Sequence, residues 1–94
     1  MREEIAVRLR GEIDHHSAGE IREKIDRSLE SNQPKLLIMD FKNVGFMDSS
    51  GIGLVMGRYK LMQTMNGEVK VINTPSHIKK VMKLAGLDKL ATIE

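Results

Sequence analysis

The run KLLIMDF at residues 35–41, apolar at nearly every position, constrains this chain most. A short, nearly solid apolar run suits a central strand of a sheet. A central strand needs neighbours, and the sequence supplies them. Residues 5–10, IAVRLR, put Ile5, Val7 and Leu9 on one face and Ala6, Arg8 and Arg10 on the other. That period of two predicts a strand buried on one side only, ended by Gly11. Residues 68–73, EVKVIN, alternate in the same way, and residues 90–93, LATI, suit a last short strand.

Helical patterns lie between these strands. Residues 17–31 carry Ile21, Ile25 and Leu29 as a narrow apolar stripe, with Ser17 and Glu20 spaced as a capping box at the start. Asn32, Gln33 and Pro34 break that helix, and KNVGFMD at 42–48 reads as a loop. A second helix is expected from Ser49 to about Met65, closed by Asn66-Gly67. It has a broad stripe of Ile52, Val55, Met56, Tyr59 and Met62, and a second of Leu54, Leu61 and Met65 nearly opposite. A third helix is expected over 75–85, with Thr74 as its cap, Pro75 at an early position and Gly86 closing it. Strands alternating with helices predict an α/β fold. One-sided strands predict helices packed mainly on one sheet face. Residues 1–94 are expected to form a single domain with one modest core.

Composition narrows the function. Aromatic residues are only 3%, namely Phe41, Phe46 and Tyr59, so the core must be aliphatic, and seven methionines are available to fill it or to form an adaptable partner surface. The net charge of +2 shows no basic stripe interleaved with aromatic rings, which argues against nucleic-acid binding. The chain has no cysteine, so disulfides, thiol catalysis and cysteine-based zinc sites are excluded. With no signal peptide and no apolar run of transmembrane length, a cytoplasmic location without membrane contact is expected. No cofactor is expected.

Two clusters carry candidate chemistry. In Asp48-Ser49-Ser50-Gly51, Asp and Ser at a helix start accept hydrogen bonds from free N–H groups. Capping accounts for one serine. It accounts less well for two serines with Gly51 and Gly53, because each glycine costs a helix about 1 kcal/mol relative to alanine. A phosphate on Ser49 would sit where the helix dipole favours negative charge. On residue chemistry alone, cap and modification site both stand. In Asp14-His15-His16-Ser17, a histidine base for a serine nucleophile or a metal pair is conceivable. However, adjacent loop histidines are expected to point apart, and no third ligand has suitable spacing. A capping loop is favoured there. Gly51, Gly53 and Gly57 do not match a dinucleotide fingerprint, and no G-K-[ST] is present.

GEIDHHSA at 11–18 and FMDSSGIGLVMGRYK at 46–60 together resemble the anti-sigma factor antagonists of the STAS domain family, the sporulation members most of all. The similarity extends along most of the chain, including VINTPSHIKKVMKLAGLDKL near its end. The resemblance implies a mixed β-sheet with helices mainly on one face, in a short version of the domain. It also implies a non-enzymatic partner switch. The unmodified antagonist binds an anti-sigma factor that is also a serine kinase, freeing the sigma factor. Phosphorylation then releases the antagonist, and a serine phosphatase resets it. Carried over, Ser49 is the phosphoacceptor. Asp14, Asp48, Ser50 and Gly51, with His15 and His16, form the docking surface. Weak nucleotide binding is a further activity associated with such domains. Relatives usually carry an extra strand before residues 5–10 and a helix after the last strand; neither is apparent here.

Two alternatives remain at this level. One is a STAS module serving a stress-response complex. The other, from a different class, is a small hydrolase using Ser49 or Ser50 with His15 or His16, for which no oxyanion or orienting residue can be named.

Overall fold

The structure, a computed structural model, describes residues 3–94. Its elements are β1 (Glu4–Ile13), α1 (Ala18–Asn32), β2 (Leu36–Met47), α2 (Ser49–Thr64), β3 (Glu68–Ile72), α3 (Ser76–Leu84), a short 3-10 turn (Leu87–Lys89) and β4 (Thr92–Ile93). The strands lie in the order β1-β2-β3-β4, so the KLLIMDF segment is an interior strand, as expected. All three pairings are parallel. The α/β class holds, but the antiparallel part of a mixed sheet is absent among the described residues.

Successive parallel strands laid in one direction through right-handed crossovers put their helices on one face. Burial agrees. Ile5, Leu9, Ile13, Leu37, Met39, Phe41, Val69 and Val71 are buried against Ile25, Leu29, Val55, Met62, Ile78 and Met82 of the helices. On the opposite face Ala6 and Arg8 are exposed, and Ile38 and Lys70 are half-buried. Phe41 is the one aromatic residue in this otherwise aliphatic core. Each fully buried side chain of this size contributes roughly 1.5–3 kcal/mol.

The first two strands run further than their patterns suggest. Gly11 does not end β1; it continues the strand at φ +79°. The presumed loop at 42–48 is strand as far as Met47. The register explains both. Arg8 pairs with Asp40 while Arg10 pairs with Asn43, and Gly11 pairs with Val44 while Glu12 pairs with Phe46. Each step inserts one extra residue in β2, which is a β-bulge. Two bulges destroy the period of two, so Val44 and Met47 are buried three residues apart. They also set the end of β2 level with the end of β1.

Helix α2 buries Gly51, Leu54, Val55, Arg58 and Met62. That inward face lies between the two stripes read from hydrophobicity; Ile52, Met56, Tyr59, Leu61 and Met65 are only half-buried. A pattern of apolar residues cannot locate a face that contains a glycine and an arginine. Helix α3 starts one residue later than expected, with Pro75 rather than Thr74 as its N-cap.

Candidate functional site

The carboxyl ends of β1 and β2 bring the two chemical clusters together. Asp48 N–H donates to the Ile13 carbonyl at 3.1 Å, so the β1–α1 turn and the β2–α2 junction stand side by side. This is the edge of a parallel sheet at which helix N-termini gather.

At the β2–α2 junction, the cap is Asp48. It has extended φ/ψ, and its Oδ1 accepts from Ser50 N–H at 2.8 Å. Ser49 is therefore released from capping. It occupies the first helical position and is exposed, while Ser50 is half-buried and engaged through its backbone. Gly51 departs from its expected place on the docking surface, because it is buried. A Cβ there would collide with Met47 Cγ and Sδ and come within 3.5 Å of Ile13 Cγ2. Gly51 thus lets α2 start flush against the ends of β1 and β2, and so positions Ser49 without itself facing a partner.

At the β1–α1 turn, the expected capping box does not form. The Ser17 hydroxyl is used by the turn itself, accepting from Asp14 N–H at 3.0 Å and donating to the Glu12 carbonyl at 2.9 Å. Asp14 takes over instead. Its Oδ1 accepts from His16 N–H at 2.9 Å and Ser17 N–H at 3.0 Å. The N–H of Ser17, followed by that of His16, holds the Asp14 carboxyl below its ordinary value despite some desolvation. His15 and His16 are exposed and do not point apart: their rings lie against each other, centroids 4.0 Å apart and tilted by 38°. Among the described residues, no group of three or more His, Asp or Glu is placed to hold a metal ion.

Two residues are not evident from the sequence pattern. Phe46 keeps 50% of its surface exposed two residues before Asp48. Its position was hidden by the bulges, which turned a recognisable strand into an apparent loop. Asp40 is a buried residue in the middle of β2 that ties this strand to β1 and to Asn73, the residue after β3. It accepts from Lys42 N–H at 2.9 Å, Arg8 Nε at 3.1 Å and Asn73 Nδ2 at 3.2 Å. The Lys42 N–H, with Asn73 and Arg8, keeps the Asp40 carboxyl below its usual value against desolvation. Asp40 interrupts the apolar run KLLIMDF, and that interruption was its only signal.

The surface is therefore an exposed hydroxyl at a helix start, flanked by the carboxylates of Asp14 and Asp48, the paired histidines and Phe46. The model of the STAS domain matches residues 2–94. This chain belongs to the STAS domain family. It is 36% identical over 89 residues to the anti-sigma F factor antagonist of Paenibacillus polymyxa, covering 95% of this chain and 76% of that protein. Its fold is similar to the anti-sigma factor antagonist SpoIIAA in its unphosphorylated form, with TM-score 0.86 and 34% identity over 100% of this chain and 82% of that one. It is also similar to the Bacillus cell fate determinant SpoIIAA in the phosphorylated form, with TM-score 0.77 and 34% identity over 100% of this chain and 85% of that one. The STAS domain of this chain thus has the α/β architecture that its sequence motifs implied.

Proposed function

We propose that this protein is an anti-sigma factor antagonist that works by partner switching, with Ser49 as the phosphoacceptor. The observation that carries the reading is the exposed Ser49 hydroxyl in the D-S-S-G stretch, left free because Asp48 does the capping. Similarity to antagonists solved in unphosphorylated and phosphorylated forms supports a phosphorylation-dependent switch.

In this reading, the unmodified protein binds an anti-sigma factor through Asp14, Asp48, Ser50, His15, His16 and the exposed ring of Phe46. Binding frees the sigma factor. The anti-sigma factor is also the kinase and brings ATP. Ser49 Oγ attacks the γ-phosphorus; the new O–P bond forms as the bond to ADP breaks, and the hydroxyl proton passes to a base on the kinase. A phosphatase later hydrolyses the ester with water. The protein itself performs no catalysis, and the cycle runs in the cytoplasm. No helix of the described residues is long and apolar enough to cross a membrane.

Electrostatics supply the off-switch. The phosphate adds about −1.5 to −2 charge next to Asp48. The α2 dipole tolerates it within the free protein, so no refolding is required. Within a complex, the same charge is desolvated beside carboxylates and left unpaired, which weakens docking. The hydrolase alternative is disfavoured because a serine nucleophile needs a base within hydrogen-bond reach. Among the described residues, no hydrogen bond joins either histidine ring to Ser49 or Ser50.

Affinity measurements with the cognate anti-sigma factor test the reading. Ser49→Ala is expected to bind like the unmodified protein and to resist switching. Ser49→Asp is expected to bind more weakly, though one carboxylate only partly imitates a phosphate. Equal affinities for unmodified, phosphorylated and Ser49→Asp protein would refute the switch.

A further inference from the structure

A cleft of about 430 Å³ opens between the two helices that flank the candidate site. It is lined by Gly19 and Arg22 of α1 and by Gly53, Leu54, Gly57 and Arg58 of α2. Two features distinguish it from a simple packing gap. The first is an uncovered floor. A Cβ added at Gly19, Gly53 or Gly57 would meet nothing within 4 Å. Unlike Gly51, these glycines are not required by close packing, yet each weakens its helix relative to alanine. They keep backbone open to whatever enters the cleft.

The second feature is Arg58. It is only 6% exposed, and its buried Nη1 has no hydrogen-bond partner. Its Nε lies 2.9 Å from Asp26 Oδ1, but the N–H direction misses that oxygen, so the two form an ion contact without a well-aligned hydrogen bond. Buried donors without acceptors are uncommon and costly. Asp26 balances one of the two arginine charges at the cleft; that of Arg22 remains. The cleft therefore combines excess positive charge with unmet donors, which is the chemistry that recognises an oxyanion. Guanidinium groups form charge-assisted, often bidentate hydrogen bonds with carboxylates and phosphates.

Position along α2 indicates the source. Ser49, Gly53 and Gly57 are spaced by four and share one stripe of the helix. A protein seated over Ser49 would extend onto the cleft one to two turns below. We propose that the cleft receives a carboxylate side chain, Asp or Glu, of the protein that docks on Ser49. This inference rests on the partner-switching reading. It makes the interface two-signed. Acidic Asp14 and Asp48 lie at one end and basic Arg22 and Arg58 at the other, an arrangement that fixes the register of docking.

The test is the affinity of the full chain for its cognate anti-sigma factor, measured beside phosphorylation of Ser49 and a thermal melt. Two variants are used. Arg22→Glu reverses an exposed charge, so the fold is not at stake. Gly53→Ala with Gly57→Ala fills the floor and is expected to raise Tm, so lost binding cannot be blamed on unfolding. Both are expected to weaken binding about tenfold or more, with a shallower salt dependence for Arg22→Glu. Wild-type affinity in both variants, while the wild type binds and is phosphorylated on Ser49, would overturn this inference alone. Failure of the wild type to bind would overturn the partner reading and this inference together. Amide shifts at Gly53 and Gly57 on adding inorganic phosphate, with partner affinity unchanged in both variants, would mark a small-anion site and overturn the docking assignment.

Discussion

Gly51 and Gly53 stand two residues apart in α2, and replacing each by alanine is expected to change stability in opposite directions. The intrinsic term is the same at both, a gain of about 1 kcal/mol for alanine over glycine in a helix. At Gly53 the new methyl meets nothing within 4 Å, so the gain survives. At Gly51 it lands on Met47 Cγ and Sδ with Ile13 Cγ2 at 3.5 Å. Ile13 is 0% exposed and Met47 8%, so any shift that admits the methyl has to be made within the packed core. Overpacking by a methyl costs about 1–3 kcal/mol. The net effect at Gly51 is then a loss of about 0–2 kcal/mol. In a domain of this size 1 kcal/mol moves Tm by about 4–8 °C. Gly53→Ala should melt above the wild type, and Gly51→Ala at or below it. Urea and thermal unfolding monitored by circular dichroism measure both. Placing Gly51→Ala in a Met47→Ala background vacates the clash and should reverse the sign of its effect. If Gly51→Ala melted as high as Gly53→Ala, the account of how Gly51 positions Ser49 would be wrong.

Two further predictions concern the same junctions. Asp48→Ala removes the side chain that accepts from Ser50 N–H and should cost about 0.5–2 kcal/mol in urea unfolding, whereas Asp48→Asn should retain most of it. Asp14 has a folded pKa below its ordinary 3.8, so its contribution is fully present above that value and is lost as pH falls through the folded pKa. Asp14→Asn keeps an acceptor for Ser17 and His16 N–H but cannot titrate. It should therefore be less stable than the wild type at about pH 6, with the difference shrinking as the pH falls below 3.8. A difference that grew on acidification would contradict the assigned hydrogen bonds.

The parts of this molecule that were legible in the sequence are those governed by one simple period or one specific motif. Ile5, Val7 and Leu9 mark β1 because a half-covered strand must alternate, and Ile21, Ile25 and Leu29 mark α1 because its stripe is purely aliphatic. The D-S-S-G stretch identified the helix start at which Ser49 is exposed. Reading failed where two effects overlapped. The bulges in β2 cancelled the alternation through residues 42–47, so a strand looked like a loop and Phe46 was missed. The inward face of α2 was misplaced because Arg58 is buried beside Asp26 in a partner helix, a pairing that no local window contains. Ser17 and Glu20 had the spacing of a capping box, but Asp14 and the Glu12 carbonyl compete for the same hydroxyl and win. Gly51 looked like an access point for a partner. Only the three-dimensional position of Met47 reveals that its missing side chain is needed for packing.

The central claim is that Ser49, freed from capping by Asp48, is the hydroxyl that switches partner binding. Intact mass and peptide mapping after incubation with the cognate anti-sigma factor and ATP test it most directly, with the affinity of the recovered product measured in the same experiment. The account predicts a single phosphate on Ser49 and a weakened complex. A phosphate on Ser50, or an unmodified protein in the presence of a kinase active on another substrate, would contradict it.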